Sequence, residues 1–317
     1  MVDAGICVID LLSSVEVHEA WAWIKNHISI EQVLIEDHGY NFDHKHWHYP
    51  GHIICVDQCE NADLLLARLY LVSQLAPVSD YLISLKNDTR DFILHLYSEL
   101  LDEDVARVVN AIETRRNLNS FRNSLSEHLA YWAILASIIK SNEFNDFSVV
   151  KPNLQPEDKG PDGLAYIVCD DHAIIKIISV KNSINPPKDL ISSAGFRTND
   201  VIEPDCTKML DEFYAFQYQN RGFQRLDEKL NSLSQELHQD TTSQIRHSLL
   251  LQQSHFNGAV VANEEHVNTD LFTGYSKISD KPIRCIGIYI GSANWRDFAY
   301  KVQKNVKEIL SDKGINF

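Results

Sequence analysis

The stretch PDGLAYIVCDDHAIIKIISVKN, residues 161–182, decides how the chain folds. It holds two apolar runs, LAYIV and AIIKIISV, rich in isoleucine, valine and tyrosine and parted by a short polar link around Asp171 and His172. Two such runs predict an antiparallel hairpin with a connection of about two or three residues. Pro161 and Asp162 then stand at the head of the first strand and Lys181 ends the second, so an acid and a cation meet at one edge of a sheet. Ser179 and Lys181 are two apart and share a face, while Val180 turns into the core.

Outward from this hairpin the chain alternates helical and strand patterns. Downstream, CTKMLDEFYAFQYQ (206–219) and FQRLDEKLNSLSQELHQ (223–239) read as helices, and NGAVVAN (257–263) and PIRCIGIYI (282–290) as strands. NWRDFAYKVQKNVKEILSDKG (294–314) is an amphipathic closing helix stopped by Gly314. Upstream, residues 119–142 form the longest helical pattern of the first half, with Leu125, Leu129, Trp132, Ile134 and Leu135 as apolar positions. Before it come helices over 61–76, 91–101 and 103–118, and strands in ICVIDLL (6–12), IEQVLIE (30–36) and HIICVD (52–57). Residues 13–28 read as a helix opened by Ser13 and Glu16 at capping-box spacing. PNLQPEDKGPDG (152–163) is a turn-rich connection. The sum is an α/β protein, a mixed sheet flanked by helices.

Composition limits what such a protein does. The 317 residues leave room for two domains or one large one. The net charge of −15 excludes a protein that coats nucleic acid through bulk positive charge. The charge is uneven: residues 1–150 carry 10 basic against 22 acidic side chains, residues 151–317 carry 19 against 22. That asymmetry predicts an acidic N-terminal interaction domain of α/β character over 1–118 and a second unit over 119–317. The acidic front should meet protein rather than a phosphate backbone. Cys7, Cys55, Cys59, Cys169, Cys206 and Cys285 form no CxxC pair and read as small buried thiols of a reducing compartment. No basic leader and no membrane-length apolar run is present, so the expectation is a cytoplasmic protein with no membrane contact.

Asp162 beside Lys181 is the minimum for phosphodiester hydrolysis: a carboxylate to hold a divalent cation, and a lysine to orient water or offset developing negative charge. Glu127, on the preceding helix, supplies a second carboxylate if that helix packs over the hairpin. A helix-borne Glu127, then Pro161-Asp162, then Ser179-Val180-Lys181 resembles the PD-(D/E)XK nuclease superfamily over residues 119–317. The resemblance implies a restriction-endonuclease-like mixed four-stranded sheet and Mg²⁺-dependent cleavage of DNA or RNA. It implies Asp162 as the metal-binding aspartate, Lys181 as the catalytic lysine and Glu127 as the helical glutamate many members add. Ser179 departs from the pattern, standing where a second acid is usual; Glu203, Asp211 or Glu212 could supply the carboxylate it lacks.

A narrower resemblance rests on GPDGLAYIV, SVKNSINPPK and the closing IGIYI…NWRDFAYKVQKNV, which are similar to the nuclease subunits of Hachiman-type anti-phage defence. That family implies a helicase partner and DNA as target. The rival expectation is a catalytically degenerate subunit that keeps the nuclease fold only as a scaffold for interaction.

His38, His44, His46, His48 and His52 cluster in HGYNFDHKHWHYPGH. If 44–48 were extended, His44, His46 and His48 would share one face as a three-nitrogen zinc site; a polar loop with histidines on carbonyls or solvent is the simpler reading. Arg115, Arg116 and Arg122 before the Glu127 position, and Lys188, Arg197, Arg221, Arg225 and Lys229 after the lysine motif, are candidate phosphate contacts or a solvated helix face. No glycine-rich nucleotide loop and no GxSxG elbow occurs.

Overall fold

The computed structural model describes residues 14–27, 47–57, 59–75, 82–83, 117–141, 146–150, 162–168, 173–185, 254–266 and 284–312. The expected strands at 6–12 and 30–36, and the expected helices at 91–101, 103–118 (apart from its last two residues), 206–219 and 223–239, lie outside them.

The 161–182 stretch folds as its pattern requires. β4 (Gly163–Val168) and β5 (Ala173–Asn182) pair antiparallel, from Gly163 opposite Ile178 to Val168 opposite Ala173. The connection is residues 169–172, longer than expected. β3 (Asp146–Val150) pairs antiparallel with β4, and the two-residue β2 (Leu82–Ile83) with β3. On the other side of β5 the pairing turns parallel, through β6 (Ser254–Asn263) and β7 (Arg284–Ser292) to β1 (Trp47–Cys55). Among the described residues this makes one seven-stranded mixed sheet of order β1-β7-β6-β5-β4-β3-β2. The middle of it is buried on both faces: Ala259, Val260, Val261 and Ala262 in β6, and Ile288, Tyr289 and Ile290 in β7, are all closed to solvent. Consecutive buried residues are the mark of parallel strands covered on two sides.

Four helices pack beside one another in this sheet's company: α1 (Ser14–His27), α2 (Ala62–Leu75), α3 (Leu118–Ser141) and α4 (Trp295–Asp312). α3 is buried almost all round from Ser124 to Ser137, with only Glu127 half-open in that span. Its polar side chains are satisfied within the helix: the Ser126 and Ser137 hydroxyls donate to the carbonyls of Arg122 and Ala133, and the His128 ring bonds the Ser124 carbonyl. Tyr70 of α2 joins α3 through its hydroxyl to Ser124 Oγ at 3.1 Å and through ring contacts with Phe121 and His128. Asn305 of α4 donates to Asp63 of α2, and Arg68 of α2 pairs with Glu16 and Glu19 of α1.

β1, from the acidic front, pairs with β7 from the back; α1 lies against α3, and α2 against α3 and α4. The closing helix is described over Trp295–Asp312, and Gly314 lies outside the described residues. Cys59 is a free thiol and half-buried, not enclosed in the core.

α4 is fixed at its start by side-chain acceptors. Asn294 accepts from the Asp297 N–H at 3.1 Å while its amide donates to the Asp297 carboxylate at 2.8 Å, a reciprocal cap. The buried Trp295 gives its N–H to Asn263 Oδ1 at 2.8 Å, and Ala293 gives its own to Asp57 at 2.7 Å. Gly291 leaves little room beside it: a Cβ there would meet the Tyr289 ring at 3.2 Å and the Glu264 Cα at 3.4 Å, so a neighbour would have to give by a few tenths of an ångström. Asn263→Ala strips the Trp295 amide of its acceptor beneath a buried tryptophan. It should cost about 1–3 kcal/mol in urea unfolding, whereas an unchanged midpoint would mean that this bond does not anchor the helix.

Candidate active site

Parallel pairing brings the ends of four strands to one edge of the sheet. Asn182 of β5 lies opposite Val261, Asn263 of β6 opposite Ser292, and Cys55 of β1 opposite Gly291. Because β4 runs the other way, its beginning falls at this same edge, and with it Asp162.

Asp162 sits just before Gly163, and its carboxylate accepts the Val180 N–H at 2.5 Å. The acid is thus held against the SVK segment, one residue from Lys181. Carried one step beyond Gly163–Ile178, the ladder register sets position 162 opposite 179, so 162, 179 and 181 fall on one face of the pleat. The other face of β5 carries Ile178, Val180 and Asn182, and belongs to α3: Arg122 Nε donates to Asn182 Oδ1 at 2.9 Å, and the Asn182 amide donates to Asn123 Oδ1 at 2.8 Å. Lys181 is half-buried and makes no ion pair among the described residues.

The register therefore sets positions 162, 179 and 181 at one edge of the sheet and on one face. Glu127 lies one helical turn beyond Asn123 on α3, the helix that packs on β5. Glu203, Asp211 and Glu212 lie outside the described residues, as do His38, His44, His46, Arg115, Arg116, Lys188, Arg197, Arg221, Arg225 and Lys229. His48 and His52 fall on β1, either side of a break in its register with β7. Among the described residues no three histidine, cysteine or acidic side chains gather as a metal-binding group.

Two residues now join the edge that motif reading passed over. Asn182 follows directly on the lysine, and its amide ties the end of β5 to α3. Arg296, in the first turn of α4, is felt by Arg122, whose guanidinium is held below its ordinary value by burial and then by the like charge of Arg296. The signal for Asn182 was the unbroken run SVKNS; Arg296 had none, because its neighbour arises only from helix packing.

Hard oxygen donors suit Mg²⁺, which takes one or two carboxylates and completes its shell with water and substrate phosphate. Asp162 at an open strand end meets that description. Its bond to Val180 also has a structural consequence. Asp162→Ala orphans a backbone donor and should cost about 1–3 kcal/mol, while Asp162→Asn, which keeps an acceptor oxygen, should cost clearly less. Equal losses in urea titrations of the two variants would show that the bond contributes nothing. No helix of the described residues is long and apolar enough to cross a membrane. Set against protein-family models, curated proteins and solved structures, the chain finds no match.

Proposed function

We propose that this chain is a metal-dependent nuclease that hydrolyses phosphodiester bonds of DNA, acting as the effector subunit of a bacterial anti-phage defence system with a helicase partner. The observation that carries the reading is the Asp162 carboxylate seated on the Val180 N–H beside Lys181. The strand set β3–β4–β5, antiparallel, with β6 added parallel to β5, supports it as well, since a mixed four-stranded sheet is what the PD-(D/E)XK resemblance implies.

In this reading Asp162, with Glu127 or one of Glu203, Asp211 and Glu212, holds Mg²⁺. When bound, the ion supplies charge neutralisation and lowers the pKa of water. Lys181 brings its ammonium to the scissile phosphate, orients the attacking water and offsets the negative charge that builds on the phosphoryl oxygens. Val180 is buried on the helix face. The acid-rich residues 1–118 contact the protein partner rather than the phosphate backbone, and the DNA is bound at the back.

One observation favours the rival, a catalytically degenerate interaction subunit. Asp162 spends a carboxylate oxygen on a backbone donor, which is work an inactive scaffold would also retain. A plasmid assay in Mg²⁺ and in EDTA, with and without the partner, separates the two. Wild type should cut only with Mg²⁺, and Lys181→Ala should lose at least about a hundredfold in rate with its thermal midpoint nearly unchanged. A folded, partner-bound Lys181→Ala that cuts or protects as well as wild type would remove the proposal.

Ser179 offers a second test. A glutamate at 179 would stand directly across from Asp162, and like charges in that relation repel. Ser179→Glu should lower the thermal midpoint in EDTA and regain it in Mg²⁺, by a larger Mg²⁺-dependent shift than wild type shows. No added response to Mg²⁺ would mean that positions 162 and 179 do not form one cation site.

A further inference from the structure

The solvent-facing half of α4 is divided by charge. Arg296, Tyr300, Lys304 and Lys307 recur at intervals of four, four and three, which sets them in one stripe along the helix. Arg296, Tyr300 and Lys304 are exposed and Lys307 is half-open; Tyr300, at 55%, is one of two exposed large hydrophobic residues among the described residues. The acids keep to the neighbouring sector, where Asp297, Glu308 and Asp312 lie with Lys301. One link joins the sectors, an exposed ion pair of Lys304 with Glu308 at 3.2 Å, of a kind that contributes little. Arg296 and Lys307 are unpaired among the described residues.

The stripe has a fixed place in the fold. One flank of α4 is held by α2, through Asn305 and Asp63, and at the start of the stripe Arg296 is near enough to Arg122 of α3 for the two charges to be felt. Arg122 is itself bonded to Asn182 at the end of β5. Cations therefore lead from the strand end that holds Lys181, by Arg122 and Arg296, out along α4 to Lys307. From 296 to 307 the helix rises by about 16 Å, enough for several phosphates.

We infer that the basic flank of α4 is a track for single-stranded nucleic acid, with Arg296, Lys304 and Lys307 on phosphates along the strand and Tyr300 as a stacking platform for a base. The inference rests on the nuclease reading for its purpose, since the track would deliver a strand to the Asp162 edge, but the binding it describes stands apart from cleavage. Charge complementarity selects a polyanion. The exposed ring among the cations selects unpaired bases, whose faces are free to stack, over a duplex. In a chain of net charge −15 long-range attraction is absent, so affinity has to come from these local contacts and has to fall steeply with salt.

The test is fluorescence anisotropy of a labelled oligothymidylate with the full chain in EDTA, over a series of NaCl concentrations. Wild type should bind it, and bind a duplex of equal length more weakly. Joint Arg296→Gln, Lys304→Gln and Lys307→Gln substitution should weaken binding at least about tenfold and flatten the slope of log K against log salt by about 2. Tyr300→Ala should cost roughly 5- to 150-fold while Tyr300→Trp retains binding. Lys301→Gln, on the acidic sector, should change nothing. Wild type that ignores oligothymidylate, stripe variants that bind as wild type does, or binding of polyglutamate in place of DNA would each overturn the track. Binding that persists in Lys181→Ala and Asp162→Asn supports it even if no cleavage is seen, so the two readings fail by different results.

Discussion

The bond from the Val180 N–H to the Asp162 carboxylate carries the pairing of β4 with β5 one step past its last backbone rung. A strand that outruns its neighbour leaves amide donors that have to find another acceptor, and at this edge they find side chains. Asn263 takes the N–H of Trp295, the first residue of α4, and Asp57 takes that of Ala293 just past β7, so three backbone donors at this edge are met by side-chain oxygens from three other segments. The same bonds that finish the sheet fix the start of α4 and hold an acid next to a lysine. In the proposed reading chemistry and architecture share these atoms, Asp162 being both a structural acceptor and the candidate metal ligand.

Helix packing decides the electrostatics at that edge. α3 is enclosed nearly all round, and its first turns reach β5 through Arg122 and Asn123. α4, wedged beside it, brings a second arginine to the first. Two like charges persist there because neither is fully desolvated and the edge is open to water. A chain that is acidic in sum thus presents a local run of cations. Net charge alone, which argues against binding nucleic acid, does not describe this surface.

Much of this was legible in the residues. The hairpin, β6, β7, the long helix and the closing helix all follow from apolar periods of two or 3.6, and Asp162 meets the SVK segment where the spacing placed it. What could not be read was the partnership between distant segments. β1 pairs with β7 although more than two hundred residues separate them, and composition, which divides the chain at its change of charge, says nothing of a strand that crosses the division. The face occupied by α3 was equally hidden. A glutamate on a helix before a hairpin can approach from either side, and Asn182, which settles the side, looks in sequence like any polar residue at a strand end. Arg296 belongs to the same class, its relation to Arg122 being created by two helices that meet only in the folded state.

The central claim is that a divalent cation is bound at the Asp162 end of β4, on the face shared with positions 179 and 181. Anomalous diffraction from crystals of the protein soaked in Mn²⁺ tests it most directly, because Mn²⁺ accepts the oxygen ligands that suit Mg²⁺ and reports its own position. The account predicts an anomalous peak within ligand distance of an Asp162 carboxylate oxygen, on the face opposite α3. A peak confined to the histidines around His48, or no peak at Asp162 in a saturated crystal, would contradict it.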